Sequence, residues 1–259
     1  MSYVLGIDVG SLSTEVVIMD REKNYEYVIV STGANSRTAA ERALQLLLSK
    51  TDRKKEEIYF TVATGYGRIN LPFADKRVTE ITCHGLGAHF LFPTVATVID
   101  IGGQDSKVIR LDPNGKVVDF VMNEKCAAGT GRFLEVMARS LEVELDQMGE
   151  LGLQAKKTVP ISSLCTVFAE SEVVSLVAAG HPVKEIIRGI HDSIAERTSS
   201  LVKRVGLAKD VVMTGGVAKN IGVVRSLEER LGVSLHIPDE PQIVGALGAA
   251  LIAWEEKGW

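Results

Sequence analysis

The chain has 259 residues, 46% of them hydrophobic, enough for one large domain or two smaller ones around a substantial core. Its 29 basic and 33 acidic residues give a formal net charge of −4 with no long run of like charge, which argues against a protein built to coat nucleic acid or an anionic membrane. Twenty-four glycines, seven prolines and only 5% aromatics point to many tight turns but not to a linker-rich chain.

The first residues, MSYVLGIDVG, carry no basic region before their apolar run and meet Asp8 at once, so they predict a buried strand over 3–7 and not a signal peptide. The strand leads into Asp8-Val9-Gly10-Ser11-Leu12-Ser13-Thr14, followed by a second apolar segment that closes at Asp20. This reads as a β-hairpin with an acidic residue at its tip. The longest uncharged stretch ends at Ile99. It holds two histidines, a proline, three threonines and two glycines, which makes it a poor hydrocarbon span. No membrane partner and a cytoplasmic location are expected. Within it, Cys83 reads as a structural thiol. His84 reads as a core histidine, with an approach to a cleft as the other possibility.

At residue 100 the opening pattern returns. Asp100-Ile101-Gly102-Gly103-Gln104-Asp105-Ser106-Lys107 follows an apolar segment over 95–99 and runs into another that closes at Asp112, 92 residues after its counterpart throughout. Glycine lets a backbone approach a ligand closely. Gly10, Gly102 and Gly103, with the hydroxyls of Ser11, Ser13 and Thr14, suit an anion nest for phosphate. Asp8 and Asp100 cannot face phosphate without repulsion unless a divalent cation or its water lies between. Two such hairpins, one per half, would clamp a triphosphate.

Beyond residue 113 come two cysteine blocks. Cys126-Ala-Ala-Gly-Thr-Gly-Arg132-Phe133 precedes an amphipathic run over 133–141, and Ser-Ser-Leu-Cys165-Thr-Val-Phe-Ala-Glu170-Ser-Glu172 precedes another, opened by the two glutamates. Both thiols would lie near positive helix ends, which lowers a thiolate pKa. They are 39 residues apart, with no C-x-x-C. Either they are small buried apolar groups, or a two-fold dimer brings two from each subunit to a metal–sulfur centre. Glu185 and Arg188 read as a solvated surface pair. A third glycine turn, Thr214-Gly215-Gly216-Val217-Ala218-Lys219-Asn220, joins an apolar strand to a helix over 221–231 and suits close contact with a nucleoside. A proline-rich break near Pro241 then precedes a final helix over 245–254.

Hairpin, hairpin, glycine turn and terminal helix together resemble the actin, Hsp70 and sugar-kinase nucleotide-binding superfamily. The resemblance implies a two-domain α/β ATPase fold of the ribonuclease H-like kind around an ATP–Mg²⁺ cleft. Residues 1–93 with 242–259 would form the first ATPase subdomain, and 94–241 the second, carrying both cysteine blocks. Asp8 and Asp100 would organise Mg²⁺, and Gln104 or Asp105 would orient the attacking water. Gly10, Ser11, Ser13, Thr14, Gly102, Gly103 and Gln104 would hold phosphate, and Gly215, Gly216, Val217 and Asn220 the nucleoside.

The two cysteine blocks, with Asp100-Ile-Gly-Gly-Gln-Asp105, further resemble the 2-hydroxyacyl-CoA dehydratase activators and the related ATPase subunits of benzoyl-CoA reductase. That resemblance implies a homodimer with one [4Fe–4S] cluster held by Cys126 and Cys165 of each subunit. It also implies ATP-driven delivery of electrons, from ferredoxin or flavodoxin, to an iron–sulfur dehydratase or reductase component. Arg132 would balance cluster charge or lie plainly on the surface. The alternatives are a small-molecule kinase of the same fold without a cluster, and a non-catalytic ATP-switch module.

Overall fold

Runs rich in Val and Ile form the strands of two sheets that share one plan. In this computed structural model, which describes residues 2–162 and 165–259, the first sheet contains β1 (Tyr3–Val9), β2 (Ser13–Met19), β3 (Tyr25–Ser31), β4 (Ile58–Thr64) and β5 (Lys76–Arg77). Its strand order is β3-β2-β1-β4-β5, with helix α1 (Ser36–Thr51) between β3 and β4. Helix α2 (Glu80–Leu91) then leads to the second sheet. That sheet holds β6 (Thr97–Ile101), β7 (Ser106–Leu111), β8 (Val117–Asn123), β9 (Val211–Thr214) and β10 (Leu235–His236), in the order β10-β9-β6-β7-β8. Between β8 and β9 lie α3 (Gly131–Ser140), α4 (Met148–Leu153), α5 (Thr166–Ala178) and α6 (Val183–Val205). Helices α7 (Ile221–Leu231) and α8 (Val244–Glu256) follow β9 and β10 respectively.

In each sheet an antiparallel hairpin is extended by a parallel strand: β1 pairs with β2 and β4, and β6 with β7 and β9. The repeat in the sequence is therefore a repeat of topology. The cross-strand partners match too, Asp8 opposite Glu15 and Asp100 opposite Lys107. The hairpins differ from expectation in one respect. Strand β1 continues to Val9, so Asp8 lies buried within the ladder and the tip is Gly10–Leu12.

Every residue of β1 is buried because helices cover both faces of its sheet. One core joins α1 to β1 and β2, and another joins α8 to the opposite face. Helix α8 is apolar on all sides until Glu255, as a helix enclosed by protein must be. A smaller cluster, with Ala88, Val98, Ile109 and Val244, ties α2 to the second sheet. Glycine makes these approaches possible. A Cβ at Gly6 would lie 2.0 Å from the Ala246 carbonyl oxygen, and one at Gly248 would lie 1.8 Å from that of Cys83. Cys83 is fully buried there, and its burial pushes the thiol up to about 12, as befits a structural thiol.

Two local readings are corrected. Helix α5 begins at Thr166, four residues before Glu170; Val167 and Phe168 are exposed, so apolar periodicity passes over its first turn. Arg188 pairs with Asp192 at 3.1 Å and with Glu229, not with Glu185. Among the described residues no helix is long and apolar enough to cross a membrane.

Gly248→Ala should cost about 1–3 kcal/mol of stability, since the added methyl meets backbone that cannot yield without parting α8 from α2. Urea unfolding of the variant against the parent measures this. Equal midpoints would mean that the two helices separate freely.

Candidate functional site

The tips of the two hairpins meet. A Cβ on Gly103 would lie 2.7 Å from the Leu12 side chain, so only glycine admits this contact between halves. Around it opens a cleft of about 1360 Å³. Its walls include Asp8, Gly10, Ser11 and Ser13 from the first hairpin, and Asp100, Gly102, Gly103, Gln104 and Asp105 from the second. Gly215, Gly216, Val217 and Asn220 of the third glycine turn line the same cleft. Thr14 does not. Strand alternation turns it away from Ser13 and Glu15, and its buried hydroxyl shares a 2.8 Å hydrogen bond with Thr32.

The floor of the cleft is a buried charge network. Lys107 Nζ donates to Asp100 Oδ2 at 2.9 Å, pairs with Asp105 at 3.0 Å and approaches Glu80 at 4.0 Å. Burial disfavours the ammonium, but these three carboxylates outweigh it and hold the Lys107 pKa well above its ordinary value. Burial likewise opposes ionisation of Asp100, yet His84, Lys107 and a 2.7 Å hydrogen bond from Thr214 keep that carboxyl well below the usual range. Asp8 lacks such a partner. Burial pushes it up to about 6, only partly offset by His84. Glu15 across the strand is pushed well up by its own burial and by Asp8, against a hydrogen bond from Ser13.

Lys107 and Gln242 have no role in the sequence reading, and of the two places open to His84 the structure shows the one at the cleft. His84 is no ordinary core residue: its two ring nitrogens stand 3.8 Å from Asp8 and 3.4 Å from Asp100, between the halves. Lys107 was detectable in principle, because it occupies in the second copy the place of Glu15 in the first. Gln242, which also lines the cleft, reaches Ser13 at 3.4 Å. No local pattern marks it.

The cysteines lie elsewhere on the second half. Half-buried Cys126 sits in the turn before α3, and exposed Cys165 is the residue just before α5; α3 packs against α5. Ser163 and Leu164 of the second cysteine block lie outside the described residues. Among the described residues, no group of three or more His, Cys, Asp and Glu side chains forms a metal site within one chain. Arg132 forms an exposed pair with Glu135 at 2.9 Å.

The turn before α3 is fastened to the second hairpin tip. The Gly131 N–H donates to the Gly102 carbonyl at 2.9 Å, and the Arg132 N–H to the Gly103 carbonyl at 2.8 Å. The Thr130 hydroxyl adds a third bond to the same tip, to the Gly103 carbonyl at 3.0 Å.

Residues 5–253 match the family model of the BadF/BadG/BcrA/BcrD ATPases. The chain is 55% identical, over 98% of both lengths, to the activator of lactoyl-CoA dehydratase of Anaerotignum propionicum. It superposes with a TM-score of 0.96 and 49% identity on (R)-2-hydroxyglutaryl-CoA dehydratase component A of Acidaminococcus fermentans, covering 100% of both chains. The activator of the 2-hydroxyisocaproyl-CoA dehydratase from Clostridium difficile, solved with bound ADPNP, gives 0.93 at 46% identity, over 99% of this chain and 96% of that one.

The raised Asp8 pKa has a measurable consequence. The folded chain holds this proton more tightly than the unfolded one, so the associated stability is complete below pH 3.8 and is lost as pH rises through about 6. Relative to Asp8→Asn, the nucleotide- and metal-free parent should lose on the order of 1–3 kcal/mol across that window. Urea unfolding of both chains at several pH values measures it. A difference independent of pH would show that Asp8 ionises normally.

Proposed function

The chain belongs to the BadF/BadG/BcrA/BcrD ATPase family, and from that premise we propose that it hydrolyses ATP to activate a 2-hydroxyacyl-CoA dehydratase by passing it single electrons at low potential. The observation that carries this reading is the pair of thiols on the second half, one in the turn before α3 and one just before the neighbouring α5, with the α3 turn fastened to a hairpin tip that lines the cleft. The similarity to dehydratase activators supports the choice of acceptor.

In this reading residues 1–93 with 242–259 are the first ATPase subdomain and 94–241 the second. Phosphates lie between the tips, against Gly10, Ser11, Ser13, Gly102, Gly103 and Gln104, with Thr14 buttressing from behind. The nucleoside lies against Gly215, Gly216, Val217 and Asn220. Asp8 suits Mg²⁺: it is buried, faces the cleft, and its ionised form is disfavoured by a burial that a cation offsets. Asp100, kept ionised by His84, Lys107 and Thr214, would accept a hydrogen bond from water on that cation. Gln104 positions the attacking water in preference to Asp105, because Asp105 is engaged by Lys107 whereas Gln104 stands exposed at the tip.

The cysteines suit half of a cluster site. Cys126 stands half-buried in the turn that leads into α3, and Cys165 stands exposed just before α5. Two thiols supply half of the four that a [4Fe–4S] cluster takes, so Cys126 and Cys165 of a second copy would complete it in a homodimer. Exposed Val167, Phe168, Val174 and Val177 on α5 offer that copy an apolar surface. The cluster, when bound, supplies a one-electron carrier of low potential. The proposed donor is a ferredoxin or flavodoxin, and the proposed acceptor is the iron–sulfur component of the dehydratase.

Protein purified without oxygen should hold about four iron and four sulfide per dimer. Cys126→Ala and Cys165→Ala should each lose them while still binding ATP. Absence of iron after anaerobic reconstitution, or full iron in either variant, would overturn the ligand assignment. Separately, Gln104→Ala should slow ATP hydrolysis about a hundredfold with iron content unchanged. Normal turnover would remove Gln104 from the reaction.

A further inference from the structure

Helix α3 is capped in an unusual way. The first N–H groups of a helix have no partner within it and are commonly met by a side chain or by water. Here the N–H groups of Gly131 and Arg132 are met by the main-chain carbonyls of Gly102 and Gly103, which belong to the second hairpin tip. Gly131 lies flush against that tip, since a Cβ there would stand 3.3 Å from the Gly102 oxygen.

Thr130 completes the junction. It is fully buried, and its hydroxyl lies 3.0 Å from the Gly103 carbonyl and 2.6 Å from the Ala127 carbonyl. A hydroxyl has one proton to give. It can therefore serve the hairpin tip or the Cys126 turn, but not both fully at once. Ala127 follows Cys126 directly, and the Cys126 carbonyl is in turn held by the Asn123 side-chain amide at 3.0 Å. The turn bearing the thiol is thus defined at one end by β8 and at the other by Thr130.

A peptide unit is a rigid plane, with its N–H and C=O on opposite edges. Any tilt of the Gly102–Gly103 peptide that brings its N–H toward a phosphate must also shift the carbonyl that Gly131 holds. The Gly103 carbonyl belongs to the next peptide plane, so a tilt of the Gly103–Gln104 unit that turns its N–H toward a phosphate shifts the oxygen held by Arg132 and alters which acceptor the Thr130 hydroxyl prefers. We propose that Thr130, with the Gly131 and Arg132 amides, is the positioning element through which occupancy of the phosphate site is relayed to the Cys126 turn. This rests on the phosphate placement proposed above, and it assigns to Thr130 a role in coupling and none in the hydrolytic step.

Iron-free protein provides the test, read by the rate of alkylation of Cys126 with N-ethylmaleimide and resolved from the other cysteines by peptide mass spectrometry. The wild-type rate should differ at least about fivefold between Mg–ADP and a Mg-bound non-hydrolysable ATP analogue, the lower range of ordinary coupling between sites. Thr130→Val, which keeps the shape and removes the donor, should abolish the difference while calorimetry shows nucleotide affinity unchanged. Thr130→Ser, which restores the donor, should recover it. If Thr130→Val does not fold, Gly131→Ala presses on the same junction from the other side and should diminish the difference. A wild-type response retained in Thr130→Val, or in Gly131→Ala where that variant is used, overturns the proposal. So does a wild-type chain that binds both nucleotides with equal Cys126 rates. Failure to bind nucleotide at all would instead remove the phosphate placement, and failure to hold iron would remove the electron-transfer reading while leaving this relay standing.

Discussion

The ion pair between Lys107 and Asp100 is the interaction on which the floor of the cleft depends. Two buried charges are costly to desolvate, and they persist only where their remaining hydrogen-bonding capacity is met. Here it is met by Asp105 on the ammonium and by Thr214 on the carboxylate, with His84 close by. These partners come from the second hairpin tip, β9 and α2, so the pair fixes how three parts of the fold converge. Because α2 also packs on α8 of the first half, the same charges help register one half against the other. Asp8 sits in the corresponding place of the first hairpin without a lysine opposite it, and its burial is only partly offset, first by His84.

Close backbone approach is the second constraint. Gly6 and Gly248 let α8 lie on β1 and α2, and Gly103 lets the hairpin tips touch. The same economy of side chain leaves main-chain groups bare at the tip, where two carbonyls can cap α3. Packing in the core and the link between cleft and cysteine turn therefore have one origin, the absence of a Cβ at chosen positions.

Much of this was legible in the chain. The echo of Asp8 at Asp100 foretold two like hairpins, and both glycine tips line the cleft as expected. Residue type alone places the Thr14 hydroxyl with those of Ser11 and Ser13, but strand alternation sends it to the face opposite Ser13 and Glu15. His84 was undervalued for a different reason. A helix in sequence has no marked face, and only the packing of α2 shows that Glu80 and His84, one turn apart, both face the charges. Gln242 and Ser13 are separated by most of the chain, and nothing local announces their contact. The cysteine blocks carried the family resemblance, which the match over residues 5–253 supports independently. That likeness came from the identity of residues in short blocks, since spacing alone left the thiols open to two readings.

The exchange of Glu15 for Lys107 between otherwise matching hairpins gives the cleft a polarity. One wall carries two carboxylates opposite one another, and the other carries a carboxylate neutralised by an ammonium. On the first wall burial keeps both Asp8 and Glu15 hard to ionise, whereas on the second Lys107, shared with Asp105 and Glu80, keeps Asp100 charged. The two walls therefore differ in how readily each takes up a proton, an asymmetry that a pair of identical hairpins could not have had.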